Sequence, residues 1–536
     1  MTATHCVKDT ENQIIGFLVD GVFYTDYNIK ENIQYIENLF LSEKGDIVTN
    51  ENLPKCTYQQ AVNGVKYQLI AQENYFQRDI QEELLCWKQD ALHKVLQLEG
   101  SRQIGKTTEL LKFAYAQYEY IIYISLFEDS YQFTEVLRCG CTPLEMEKYC
   151  RRAQLPHFVN SRKTIIIIDE IQVSPMVYNS IRMIRANLEC DLIVTGSYLG
   201  QTLNKEFFQP AGTVAYLYMY PLSFSEFCRI FEKEDLLKTL DLYGGEENAS
   251  LCKKDLENRE SCAGYNELYK LYELYKKIGG YPEAVKAYAK THNIVKCYEV
   301  IENLLITFEK ESRNYFRESK EPLIFRTVYT EALKEMCREK RGTGSKLVET
   351  ITGMTKTEIA VNSPKQMISR TEISNAVAWL GYSGIIGECG LYNNGDVNDY
   401  IPARRLYYMD CGIASYVAEQ TALPKDNIDG FLSENFVYTE LMRLYKKRAG
   451  EKLVKGESPC FSIYGGYELD FMILGKDNTI YGLEVKTNTG APASLKVFID
   501  KKLVDRGIVA KKTTGGHSDQ FDTIPIYMVG VRFPYI

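Results

Sequence analysis

The chain has 536 residues, 45% hydrophobic and 25% charged, the composition of an ordinary globular protein. Its 63 lysines and arginines against 71 aspartates and glutamates leave a net charge of −8, which excludes a general polyanion binder but not a local basic surface. No apolar run approaches a membrane span, the first nine residues lack a signal-peptide core, and the 15 scattered cysteines have no zinc spacing, so a cytoplasmic protein with reduced thiols and no membrane partner is expected.

That length suits roughly three or four domains. The boundaries read as an N-terminal module at 1–65, a second domain at 66–235, a middle region at 236–400 and a last domain at 401–536. In the first, 14–19 and 22–24 read as strands around the Asp20-Gly21 hairpin signal. Residues 31–41 follow with Ile33, Ile36 and Leu39 at helical spacing, so a small α+β fold is expected. A helix over 77–93 then carries Ile80, Leu84, Leu85 and Leu92.

The most informative stretch is Gly100-Ser101-Arg102-Gln103-Ile104-Gly105-Lys106-Thr107, which fits G-x-x-x-x-G-K-[ST]. A short strand precedes it at 95–99, and a helix follows from Thr107, with Thr108 in its first turn. The glycines let the backbone turn tightly, so successive N–H groups face phosphate oxygens at a helix N-terminus. Lys106 would reach the β- and γ-phosphates, and the Thr107 hydroxyl would ligate Mg²⁺. The expected cofactors are therefore ATP and Mg²⁺.

Three more buried strands are expected, at 120–124, 164–168 and 192–195, separated by helical or polar stretches. That alternation predicts an α/β domain with a parallel sheet, whose ligands gather at the strands' carboxyl ends. Asp169 and Glu170 directly follow four isoleucines, where Asp169 would share the metal with Thr107 and Glu170 would activate the attacking water. The plainer alternative is a solvated Asp-Glu turn. Thr195 or Ser197, at the end of the third strand, would sense the γ-phosphate, although a Thr-Gly-Ser turn needs no ligand. Ser223 and Glu226 read as a capping box for the next helix.

Downstream, 239–266 and 340–365 read as polar or glycine-rich insertions. Helical spacing occupies 268–289, 301–308 and 373–386, and 386–392 suits a winged-helix strand. Arg370, Arg404 and Arg405 are either phosphate contacts or part of a solvated surface.

The last domain holds a second candidate site. On a helix starting near Ser433, Glu434 falls on the apolar face of Val437, Leu441, Leu444 and Tyr445, whereas Glu440 falls off it. Asp470 stands in an apolar strand, and alternation over 480–488 puts Glu484 and Lys486 on one face. Two readings stay open. Glu434, Asp470 and Glu484 would hold a metal, with Asp470, Glu484 and Lys486 cutting a phosphodiester; or the four residues form an internal ion-pair network. A basic tail follows at Lys496, Lys501, Lys502, Arg506, Lys511 and Lys512, which makes DNA a candidate partner.

Several short motifs stand together in a recognisable order. They are Arg78, the loop 100–107, Ile168-Asp-Glu-Ile-Gln172, Thr195-Gly-Ser197, Pro221-Leu-Ser-Phe-Ser-Glu226, Gly279-Gly-Tyr-Pro282, Leu406-Tyr-Tyr-Met-Asp410, Ser433-Glu-Asn-Phe-Val437, Glu468-Leu-Asp-Phe471 and Leu483-Glu-Val-Lys486. Over about 75–500 the chain resembles the AAA-type ATPases of bacteria and archaea that carry a C-terminal domain of unknown function. The resemblance implies a P-loop ATPase core, a helical and winged-helix-like middle, and a C-terminal α/β fold similar to PD-(D/E)XK nucleases. It also implies that the site lies between subunits, so a homo-oligomer is a candidate assembly. Many relatives carry Gly-Arg before the Pro-Leu-Ser-Phe stretch; here Gly212 is followed by Thr213, and slow basal hydrolysis is expected.

The functional expectation is an ATPase that couples its nucleotide state to a nuclease-like domain. The alternatives are an ATP-gated, metal-dependent DNA nuclease and a non-nucleolytic regulatory or DNA-binding switch.

Overall fold

A computed structural model describes residues 76–239, 263–315, 370–392 and 404–532, apart from short interruptions at 91, 154, 156, 198–206, 209–211, 450–458, 476–478, 488–490, 514 and 519. It also describes isolated residues between 328 and 337 and five short strands in the first fifty residues. Both expected insertions, at 239–266 and 340–365, lie almost wholly outside the described residues.

The five early strands are β1 (His5–Lys8), β2 (Ile14–Val19), β3 (Val22–Tyr24), β4 (Leu39–Leu41) and β5 (Ile47–Thr49). The β2–β3 hairpin forms around Asp20-Gly21, with Val19 opposite Val22. The helix expected over 31–41 gives way at its end: Leu39–Leu41 is a strand whose backbone groups pair antiparallel with β5, a partner that local periodicity does not reveal.

Contacts divide the chain into two compact units, Met1–Gly100 with Gly105–Met219, and Ser101–Ile104 with Tyr220–Ile536. The sheet of the first unit holds β6 (Val95–Gly100), β7 (Tyr120–Ser125), β8 (Thr164–Asp169), β9 (Asp191–Thr195) and β10 (Val214–Met219) in the order β10-β6-β9-β8-β7. Every pairing is parallel. Crossover helices cover such a sheet, which is why β8 is buried along its whole length and reads as a continuous isoleucine run. Ile122, Ile124, Ile166, Ile168 and Val194 share one core with side chains of the flanking helices. The Lys106–Gln117 helix packs against β8 and buries Leu110, Phe113 and Ala114. The phosphate-loop strand β6 lies inside the sheet because β10 adds beside it, a strand the sequence reading did not name.

The second unit carries an eight-stranded sheet of β11 (Ile386–Leu391), β12 (Arg404–Tyr408), β13 (Cys460–Tyr464), β14 (Tyr467–Leu474), β15 (Ile480–Lys486), β16 (Arg506–Lys511), β17 (Gly516–His517) and β18 (Phe521–Pro525). Their order is β12-β11-β13-β14-β15-β16-β18-β17. β13, β14 and β15 form an antiparallel meander; the Ala493–Asp500 helix follows, and β16 returns parallel to β15. The expected 268–289 helix is broken into Ala263–Ile278 and Pro282–Thr291 at Gly279-Gly280. Gly279 has φ +72°, and a Cβ there would stand 2.2 Å from Asp410 Oδ1. Only glycine meets both demands.

The helix expected near Ser433 begins earlier, as Lys425–Ala449. It is enclosed by the Cys411–Glu419 and Val529–Arg532 helices and by β12 and β15, so every residue from Phe431 to Met442 is buried. Glu440 is therefore buried, contrary to its expected place off the apolar face. One-face periodicity fails for a helix packed on several sides.

Tyrosine, commoner in this chain than phenylalanine, does double work in this unit's core. Phe224 packs edge-on to Tyr272, Tyr275 and Phe436. The Tyr275 hydroxyl donates to the Leu222 carbonyl at 2.6 Å, and that of Tyr438 to the Glu388 carbonyl at 3.1 Å. A tyrosine fills core volume and satisfies a buried carbonyl that phenylalanine would leave open.

Candidate nucleotide site and a second acidic centre

The phosphate loop has the backbone that its sequence requires. Gly100, Gln103 and Gly105 have positive φ of 145°, 59° and 93°, and Gly105 caps the Lys106–Gln117 helix. Alternating hands turn successive N–H groups toward one concave side, a cradle for anionic oxygens. Lys106 is only 8% exposed, and its ammonium donates to the Gly100 carbonyl at 3.0 Å, folded back over the loop. Ser101 and Ile104 are buried. Within the second unit the Tyr281 hydroxyl donates to Ser101 Oγ at 3.2 Å, and Arg102 pairs with Glu311.

Across the first unit's strand ends, the Thr107 hydroxyl donates to Asp169 Oδ2 at 2.7 Å. The Tyr123 hydroxyl donates to the same oxygen at 2.8 Å, and the Glu170 N–H to Oδ1 at 2.8 Å. Burial and the Asp169 carboxylate hold the Tyr123 phenol well above its ordinary pKa, so it stays a donor. Asp169 is thus fixed by neutral hydroxyls and one amide. Glu170 has φ +55°, a left-handed conformation uncommon for a side-chain-bearing residue. The Gln172 amide donates to its carboxylate. Gly196 lies so close that a Cβ there would sit 2.1 Å from Gln172 Oε1, and Ser197 is buried just beyond. The Thr195 hydroxyl donates to the Leu98 carbonyl at 2.9 Å, tying β9 to the phosphate-loop strand.

The acidic residues of the second unit stand differently. Phe471 pairs with Leu483, and one step farther Asp470 Oδ2 accepts the Val485 N–H at 2.8 Å. A side chain there stands in for a ladder carbonyl. Glu484 accepts the Leu495 N–H at 3.0 Å and pairs with Lys486 at 2.7 Å. Glu434 is buried on its helix. Among the described residues, no group of three or more carboxylates, imidazoles and thiols is placed to hold a metal ion, so Glu434, Asp470 and Glu484 do not form a ready-made ligand set.

The sequence reading offered Arg405 to phosphate or solvent; it is 1% exposed. It pairs with Glu468 and lies over the Phe461 ring at 4.5 Å. Burial works against its charge, but Tyr407, Glu434 and Asp470 outweigh that and hold its pKa above the ordinary arginine value. Phosphate access gives way to internal pairing because β12 lies beside β11 with this side chain buried among acidic groups. Side chains of Arg370 and Arg404 lie outside the described residues.

A third polar cluster joins motifs that lie far apart in sequence. Asp410 accepts N–H groups from Gly280 at 2.7 Å and Ile413 at 3.1 Å. Arg443 donates to the Pro221 and Leu222 carbonyls and pairs with Glu440, which accepts the Phe224 N–H at 3.3 Å. The expected Ser223–Glu226 capping box is formed. Sequence reasoning quoted Asp410 in a motif and placed Glu440 off the apolar face, but it gave neither a partner and did not name Arg443, a charged residue in an otherwise apolar run.

Residues 92–228 match a family described as an AAA domain, and residues 269–423 match a domain of unknown function, DUF8612. The chain therefore carries an AAA-type domain, in keeping with the parallel sheet and phosphate loop. No curated protein matches. Among solved structures, the ORC2 protein of Aeropyrum pernix is 11% identical, with 68% of this chain and 96% of that chain covered and a TM-score of 0.30. The Aeropyrum pernix ORC1 protein in complex with DNA is 13% identical over 68% of this chain and 94% of that chain, with a TM-score of 0.27. A RuvB Holliday junction branch migration motor of Thermotoga maritima is 14% identical over 65% and 96%, with a TM-score of 0.25. Scores this low establish no shared overall fold. No helix among the described residues is long and apolar enough to cross a membrane.

Proposed function

We propose that the protein binds ATP at residues 100–108 and hydrolyses it with Mg²⁺. The observation that carries this reading is the 2.7 Å hydrogen bond from Thr107 to Asp169, which joins the phosphate-loop helix to the end of β8 beside Glu170. Thr107 and Asp169 would hold the metal, which supplies charge neutralisation on the β- and γ-phosphate oxygens when bound. Lys106 would leave the Gly100 carbonyl for those oxygens. Glu170, steadied by Gln172, would take the proton of the attacking water, and Ser197 would sense the γ-phosphate. The decisive experiment follows phosphate release from ATP by the purified full chain with and without Mg²⁺. Metal-independent release, or none at all with any added ligand, would overturn the proposal.

We further infer that nucleotide state is relayed to the C-terminal domain as a regulatory switch. The meander, following helix and parallel strand support a nuclease-like topology, with Asp470, Glu484 and Lys486 where β14 and β15 meet. The burial of Arg405 against Glu468 favours the non-nucleolytic reading over a metal-dependent nuclease. Incubation with Mg²⁺ or Mn²⁺ and several DNA forms separates the two. Cleavage abolished by Asp470→Asn would establish the nuclease.

A further inference from the structure

The β13–β14 hairpin ends in a surface that neither the nucleotide site nor the acidic centre uses. Its turn is Gly465-Gly466, with φ of +57° and +85°, the left-handed pair a tight two-residue hairpin needs. Tyr464 and Tyr467 are directly opposed across it, so both rings stand on one face of the ribbon. They are 43% and 45% exposed. That face continues inward through Leu469 into the core formed with Leu495, Phe498 and Val504. Tyr464 touches the edge of Phe498, 6.4 Å between ring centroids. Phe498 lies on the Ala493–Asp500 helix, which also carries exposed Lys496 and is followed by exposed Lys501 and Lys502.

We propose that this hairpin and helix bind single-stranded nucleic acid. Two large rings flanking a tight turn offer stacking faces at reduced entropic cost, because the glycine turn sets the backbone of both and the Phe498 contact places Tyr464. Lys496, Lys501 and Lys502, on or just after the helix that carries Phe498, offer exposed ammonium groups for phosphate contacts. Asp500 and Asp505 are interspersed, but Asp505 is engaged by the Ile480 N–H at 2.8 Å. In a chain of net charge −8, such a surface acts only locally. The combination selects its occupant: a duplex hides its base faces, and an acidic peptide leaves the rings without a stacking partner. Binding of this kind requires neither ATP nor cleavage at the acidic centre.

The test is fluorescence anisotropy of a labelled oligothymidine of about 20 nucleotides with the full chain, in EDTA and without nucleotide. Failure there is distinct from failure of the ATPase reading, which is measured by phosphate release. Three neutralised phosphates predict affinity falling about 20-fold between roughly 50 and 200 mM salt. Tyr467→Ala should weaken binding about fivefold or more. Lys501→Glu with Lys502→Glu, both on the surface, should weaken it further and flatten the salt slope. Tyr464→Leu retains apolar packing against Phe498 while removing the stacking face, so its loss of binding separates recognition from folding. Absent binding at low salt, equal and tyrosine-insensitive binding of duplex, or full affinity in the lysine variant would each overturn the proposal.

Discussion

The two acidic centres use the same residue types and opposite electrostatics. Asp169 accepts from two hydroxyls and an amide, donors that fix its geometry without cancelling its charge. In the second unit Glu468 pairs with a buried guanidinium and Glu484 with an ammonium. A carboxylate held by neutral donors remains attractive to a cation; one held by arginine has largely spent that attraction. Carboxylates after a buried strand therefore say little about metal binding until their partners are known.

The comparison breaks most readily at Arg405. Arg405→Met should destabilise the second unit by about 3–5 kcal/mol, because Glu468 would remain buried without its cation. Each unit holds one tryptophan, Trp87 or Trp379, so denaturation followed by Trp379 fluorescence in a Trp87→Phe background reads the right unit. An unchanged midpoint would mean that something other than Arg405 compensates the acidic centre.

Next in size is the effect at the nucleotide site. Glu170→Gln keeps volume and hydrogen bonding but cannot accept the proton, so turnover should fall about 100-fold or more while ATP still binds. Lys106→Ala should weaken ATP binding as well as turnover. Undiminished phosphate release by Glu170→Gln would remove this residue from the mechanism. Thr213 belongs to the same test: low turnover that rises with protein concentration fits an arginine supplied by a neighbouring copy.

The sequence made the nucleotide domain legible because its signals are local. A phosphate loop lies within eight residues, and the isoleucine run names both a buried strand and the position of Asp169. Ser223 and Glu226 likewise announce their own helix cap. Arg405 was illegible for the opposite reason: its meaning depends on Glu468, Phe461 and Glu434, which reach it only through the sheet. Glu440 looked exposed because one helical stripe was assumed where several elements enclose the helix. β10 had a readable Val-Ala-Tyr-Leu-Tyr-Met run, but nothing local placed it beside β6.

Asp410 extends the comparison to a carboxylate held mainly by amides. Burial raises its pKa, opposed by the Gly280 and Ile413 N–H groups and by the Arg443 charge. An elevated folded value means that stability is fully present below the unfolded pKa of about 3.9 and is lost as pH rises through the folded value. Each unit of elevation is worth about 1.4 kcal/mol. Asparagine does not titrate, so any stability advantage of wild type over Asp410→Asn should shrink as pH rises above about 4. A pH-independent difference in melting temperature would show that the hydrogen bonds cancel the burial.

The smallest effect is expected at Tyr123, where it sharpens the contrast between neutral and charged partners. Its hydroxyl shares Asp169 Oδ2 with Thr107, so Tyr123→Phe leaves that carboxylate with two of its three donors. Losing a hydroxyl's hydrogen bond to a carboxylate costs about 1.5–3 kcal/mol where nothing replaces it. Because the carboxylate keeps its charge, Mg²⁺ can take up the freed lone pair, and the metal concentration giving half-maximal phosphate release should move by less than about tenfold. The variant contrasts with Arg405→Met, in which a charge disappears and whole-unit stability suffers. Measuring phosphate release against Mg²⁺ for Tyr123→Phe and Thr107→Ala separates positioning from ligation: Thr107→Ala should shift the metal requirement more. If Tyr123→Phe instead abolished turnover at saturating Mg²⁺, Asp169 would depend on this one hydroxyl as strictly as Glu468 depends on its arginine, and the distinction between the two centres would fail.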